Sequence, residues 1–253
     1  MVGKLMKYEL LAIFRTLLYM SVVSLVLACI ARIFLAVNAD SVAGVLFTFF
    51  AIMVAIMLVF VAFVVSVSRF FQSLFKGEGY MTFSLPVSAT QLLVAKLLSA
   101  IAAMFIGVLV CVLSSLIIFT GFTGELWEEI VLMFNNILNV YGSVLSSDPL
   151  LVVELIFNLI VTIPMSLLVF FLIESLGQLF TNHRKGYTFG IGVAFLVVVS
   201  LLESFCFDPI FGILADVNVH LANWLQIIVC AAVDVGCFFA TRYLLTKKLN
   251  LIV

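Results

Sequence analysis

RFFQSLFKGEGYMTFSLPVSATQLLVAK, residues 69–96, separates two strongly apolar runs, Val45–Val67 and Leu97–Thr120. Each run is long enough to cross the hydrocarbon core of a bilayer, which takes about 20 helical residues. The segment between them carries Arg69, Lys76, Glu78 and Lys96, a Gly77-Glu78-Gly79 turn and a Leu85-Pro86-Val87-Ser88 step. Charges and turn residues of this kind belong in water. The stretch therefore reads as a loop between two membrane spans, and the rest of the chain follows the same alternation of span and connector.

Composition agrees. Hydrophobic residues make up 66% of the 253 positions and charged residues 10%. A soluble domain is roughly half apolar and a quarter charged, so this surplus calls for a lipid solvent. The formal net charge of −1 gives no electrostatic basis for binding nucleic acid. Cys29, Cys111, Cys206, Cys230 and Cys237 stand in apolar surroundings without metal-like spacing and read as small buried hydrophobes. The first apolar run is too long for a cleavable signal and lacks a small-residue cleavage pattern.

Working outward, candidate spans are Leu17–Val37, Val45–Val67, Leu97–Thr120, Leu151–Phe180, Tyr187–Phe207 and Ala222–Leu244. The fold class expected is an all-α integral membrane protein of six transmembrane helices, forming a single transmembrane domain over residues 1–253. Residues 3–16 place Met6, Leu10, Phe14 and Leu17 at helical spacing with Lys4, Lys7 and Arg15 beside them, which suits an interfacial helix before the first span. The alternative is a simple continuation of that span. The 121–150 connector contains ELWEEIVLMFNNILNVYG, with the character of an amphipathic helix lying on the outer surface.

Charge orients the chain. Of its 12 Lys and Arg, all but Arg32 lie in the N-terminal segment, the 69–96 loop, the 181–186 turn or the C-terminal end. The alternate connectors hold Asp40, Glu125, Glu128, Glu129, Asp148, Asp208 and Asp216, and no Lys or Arg. Basic loops stay in the cytoplasm, so both termini and the 69–96 loop are expected inside.

Within the loop, Phe70, Phe71, Leu74 and Phe75 continue the second span's helix, and Gly77-Glu78-Gly79 permits a sharp reversal. Pro86 disfavours helix at Leu85. Ser88 and Gln91 have capping-box spacing, which predicts a new helix starting near Ala89.

The string Gly77–Ser88, followed by Gln91-Leu92 and Lys96-Leu97, resembles the first cytoplasmic loop of ABC type-2 transporter permeases, most closely a branch common in Gram-positive bacteria. Lys7-Tyr8-Glu9-Leu10 and the six-span layout are similar as well; Met81 and Ser84 stand where Leu and Thr are commoner. The resemblance implies a permease subunit of a bacterial plasma-membrane exporter, paired with a second copy or paralogue in membrane lipid. The partner is a cytoplasmic ABC ATPase subunit that binds the ATP and Mg; this chain itself carries no cofactor. Residues 68–96 would form the coupling loop, with Glu78, Tyr80, Phe83, Leu85 and Pro86 as ATPase contacts beside the N-terminal elbow helix. Read from the residues alone, the aromatics could equally anchor the loop at the headgroups.

No phosphate-binding G-x-x-x-x-G-K-[ST] loop, HExxH or Cys-x-x-Cys occurs, and the chain is not expected to be an enzyme. Ionisable residues in the spans are costly and mark sites or structural pairs. Asp234 and Glu174 are candidate substrate or ion contacts, and Arg32 with Glu203 a candidate structural pair. Glu154-Asn158 and Glu174-Gln178 each sit one helical turn apart on the fourth run. Buried acids also suit an ion-coupled secondary transporter, and a non-transporting scaffold or sensor is a third reading.

Overall fold

The computed structural model describes residues 2–37, 42–75, 88–119, 132, 135–136, 148–179 and 184–247. Its elements are α1 (Val2–Val37), α2 (Val42–Phe75), α3 (Ala89–Phe119), α4 (Pro149–Gly177), α5 (Arg184–Leu202), a π turn (Glu203–Phe207), α6 (Asp208–Val217) and α7 (Val219–Lys247). No strand occurs among the described residues. Lipid offers no hydrogen bonds to an open backbone, and a helix satisfies its own.

Among the described residues five helices, α1, α2, α3, α4 and α7, are long and apolar enough to cross a membrane. The chain is an all-helical, multi-pass membrane protein. The remaining candidate span is shorter: α5 has 19 residues, about 28 Å of rise, and its apolar part covers only Gly186–Leu201. Helical structure does not end there. It passes through the π turn into α6, where the sequence suggested an acidic connector. Pro209, in the first turn of α6, has no N–H to donate to the residues before it, and the widened π turn lies just ahead of it.

Residues 3–16 are the start of α1, which runs unbroken for 36 residues, the continuation that the sequence left open as an alternative. By contact the chain divides into two compact units, residues 1–68 with 98–143, and residues 69–97 with 144–253. The division cuts α2 and α3 near their loop-proximal ends, so the roots of the 69–96 loop belong with α4 to α7. The loop's centre, with Glu78, Tyr80, Phe83, Leu85 and Pro86, lies outside the described residues. So does most of the 121–150 connector, in which Leu132, Asn135 and Asn136 are helical and residues 148–150 lead into α4.

The first unit packs through small residues. Ala28, Ala31, Ala51 and Ile118 form one buried cluster, and Ile13, Leu17, Ala62 and Ala103 another. A Cβ on Gly107 would meet the Ala62 Cβ at 3.3 Å, so that crossing is close. Ser24 and Ser114, both fully buried, are hydrogen-bonded to each other at 2.9 Å. Small side chains let helices approach where lipid supplies no hydrophobic drive. The large side chains point outward, among them Phe49, Phe60 and Phe105, and lipid is the solvent that accepts them.

In the second unit α4 packs along α7 and against α5, and α6 folds onto α7. Its core is Leu168, Val169, Ile173 and Cys237, with Leu97, Ile191, Phe195 and Phe238 around it. Asn218 makes the joint between α6 and α7. It is extended (φ −160°, ψ 109°) and donates its N–H to the Leu214 carbonyl at 2.8 Å. Its side-chain Oδ1 accepts from the N–H groups of His220 and Leu221 at 3.0 and 3.3 Å. One residue thus stops a helix and caps the next.

Candidate functional site

The site is built on the last two turns of α4. Buried Leu167, Leu168, Phe171 and Ile173 hold that part of the helix against its neighbours. Ser175 disposes of its hydroxyl locally, donating to the Phe171 carbonyl at 2.7 Å. Gly177 brings α5 in: a Cβ there would lie 3.0 Å from the Thr188 Cα and far closer to the Thr188 hydroxyl. No larger residue fits without moving the α5 backbone. This contact sets Thr188 beside the end of α4.

Glu174 and Gln178, one turn apart, face the space left between these elements. It is a cavity of about 440 Å³ lined by Phe71, Phe170, Glu174, Gln178, Thr188 and Phe189, with Gly192 in the wall. Gln178 is only 7% exposed, yet neither its Nε2 nor its Oε1 has a hydrogen-bond partner among the described residues. A buried amide left unpaired costs about 1–3 kcal/mol. The sequence pointed to Glu174; the orphaned amide and the aromatic walls depend on packing.

Phe71 comes from the root of the 69–96 loop, which is firmly seated. Phe70, 2% exposed, stacks on Phe171 with centroids 4.0 Å apart and planes 6° apart. Lys96, 3% exposed, donates from Nζ to the Ser73 hydroxyl, tying the start of α3 to the end of α2. Ser73 also donates to the Arg69 carbonyl at 2.7 Å. The capping box is present: the Ser88 N–H donates to Gln91 Oε1, and the Gln91 N–H to Ser88 Oγ, both at 3.3 Å. Helix α3 begins at Ala89, where the spacing predicted it.

At the other end of α4, Glu154 is 2% exposed and fully engaged. Asn223 donates from Nδ2 to Glu154 Oε2 at 2.7 Å, and His220 Nδ1 lies 3.0 Å from Glu154 Oε1. Asn158, the amide one turn along, instead accepts from the Thr162 hydroxyl at 3.1 Å. Sequence spacing gave no sign of the His220 contact, since a single histidine in a connector has no local partner to mark it.

The remaining candidates stand apart. Asp234 on α7 leaves Oδ1 buried without a partner among the described residues. Arg32 on α1 leaves Nε in the same state. Its expected partner Glu203 opens the π turn, and the Glu203 side chain lies outside the described residues. No group of three or more His, Cys, Asp or Glu able to hold a metal occurs among the described residues.

No known family model matches the chain, and no curated protein or solved structure is detectably similar to it. What the protein does must therefore be argued from the site.

Proposed function

We propose that this chain is the membrane-spanning permease subunit of an ATP-binding cassette exporter. It moves an amphipathic or hydrophobic substrate using ATP hydrolysed, with Mg, by a separate cytoplasmic subunit. A single observation carries the reading: both roots of the 69–96 loop are built into the unit that holds the Glu174 cavity. Phe70 stacks on α4 through Phe171, and Phe71 forms a cavity wall. A displacement of the loop's root by a soluble partner would reach the cavity through these two aromatic side chains. The one-sided distribution of Lys and Arg supports a cytoplasmic loop and termini. With α5 as a sixth crossing, an even number of spans agrees. A second copy or paralogue would complete the translocation path, and Glu78, Tyr80, Phe83, Leu85 and Pro86 would meet the ATPase.

The test is co-purification from native membranes in mild detergent. A cytoplasmic ATPase that accompanies the wild type and is lost from a folded Tyr80→Ala/Phe83→Ala variant is the expected result. A protein that retains no ATPase where comparable complexes survive overturns it. The second reading, an ion-coupled transporter, draws on Asp234, whose unpartnered Oδ1 suits a proton or cation site. It predicts gradient-driven uptake that needs no ATPase and disappears in Asp234→Asn.

A further inference from the structure

We propose that the cavity at the Gln178 end of α4 binds an amphipathic amine: a protonated primary or secondary ammonium with a hydrogen-bond acceptor nearby and an apolar tail. The inference rests on the permease reading for the claim that such a molecule is moved. Binding itself is argued from the cavity.

Size comes first. About 440 Å³ lies within the roughly 300–1,000 Å³ range of small-molecule sites and is far more than a bare ion needs. Charge comes next. Among the described residues Glu174 is the only ionisable side chain in the lining, and none of them is basic. Phe71, Phe170 and Phe189 add ring faces, which attract cations and repel anions. A metal ion is disfavoured by the donor set, since among the described residues one carboxylate, one amide oxygen and the Thr188 hydroxyl fall well short of the six or more oxygens a hard cation takes.

Gln178 then narrows the class. Its amide is buried, lines the cavity and has two needs unmet among the described residues, a donor for Oε1 and an acceptor for Nε2. A quaternary ammonium has no N–H and would leave Oε1 unpaired. A primary or secondary ammonium satisfies Glu174 and Oε1 together, and a hydroxyl, ester or phosphate oxygen next to it satisfies Nε2. The apolar remainder fits Val193, Leu196 and the wall beside Gly192, where a Cβ would still have ordinary contact, 3.5 Å from Ile173. A lipid of the ethanolamine type and a free amphipathic amine both present this chemistry.

The full-length protein is placed in nanodiscs of dioleoylphosphatidylcholine, whose headgroup has no N–H donor. Binding of dodecylamine, dodecyltrimethylammonium and dodecanoate is measured against empty discs. Saturable binding of dodecylamine, about tenfold or more tighter than either competitor, is expected, because a charge-assisted hydrogen bond is lost in each. Glu174→Gln should weaken it by about tenfold or more. Gly192→Leu, which adds apolar bulk at the cavity wall beside Ile173 and leaves Glu174 and Gln178 in place, should abolish it and serves if Glu174→Gln does not fold. Native mass spectrometry of protein taken from its membranes separates the sources. Bound phosphatidylethanolamine that dodecylamine displaces identifies a lipid headgroup; protein that arrives empty and binds dodecylamine identifies a free amine. Absence of saturable binding, equal binding of dodecanoate, or binding unchanged in both variants overturns the proposal. No ATPase is present in these discs. Failure to capture an ATPase with amine binding intact would therefore remove only the exporter reading, and the reverse result only this one.

Discussion

The two ends of α4 carry the same sequence device and use it in opposite ways. Each has a glutamate with an amide four residues on, Glu154 with Asn158 and Glu174 with Gln178. At the Glu154 end α7 closes in, and both carboxylate oxygens find partners on it, His220 and Asn223. At the Glu174 end Thr188 and Phe189 of α5 line a cavity with Phe71, and the Gln178 amide has no partner among the described residues. A satisfied buried acid holds helices together, whereas a buried polar group left without a partner beside a cavity is what the proposed ligand would satisfy. The difference separates a structural staple from a site.

The largest effect should come from cutting the staple. Glu154→Ala leaves the Asn223 amide and the His220 ring without their acceptor, a loss of about 2–3 kcal/mol. Glu174→Ala should stay within about 0.5 kcal/mol of wild type. Reversible unfolding in mixed detergent and SDS micelles measures both; equal losses would break the comparison. Next comes the contact that sets the width of the cavity. Gly177→Ala drives a methyl into Thr188, costing about 1–3 kcal/mol, whereas Gly192→Ala should be within about 0.5 kcal/mol of neutral. Thr188→Ala should restore only part of the Gly177→Ala loss, since the α5 backbone remains 3.0 Å from the new carbon.

A smaller effect sharpens the account of the Glu154 end. Asn218→Ala removes the cap of α7 and should cost about 1 kcal/mol. Because the cap positions His220, its loss combined with Glu154→Ala should be less than the sum of the two. The smallest change is a control in the other unit. Ser24→Ala forfeits one interhelical hydrogen bond, about 0.6 kcal/mol, and should add to Glu154→Ala without coupling.

Much of the fold was legible because membrane solvation leaves a one-dimensional mark. Five apolar runs are helices of spanning length, and Ser88 with Gln91 located the start of α3, since a capping box is a contact over three residues. The end of the fifth run was read less well. The pattern at Asp208 looks like a connector, but the π turn before Pro209 lets helix continue to Val217. Residues 3–16, which suit an interfacial helix or a continuation of the first span, run into that span without interruption in α1, because Lys and Arg are good helix formers and can lie on one helix through both environments.

What the sequence determined by itself is a helical membrane chain, the distribution of its charges and the places where local chemistry starts a helix. Each is decided by solvation or by neighbours within a turn. Tertiary structure alone decided which acid is satisfied. Glu154 draws its partners from residues 66 and 69 positions away, whereas Gln178 borders a cavity and finds no partner among the described residues. Two carboxylates with the same local spacing differ only in which helix face comes to meet them, and that is settled by packing across the whole unit.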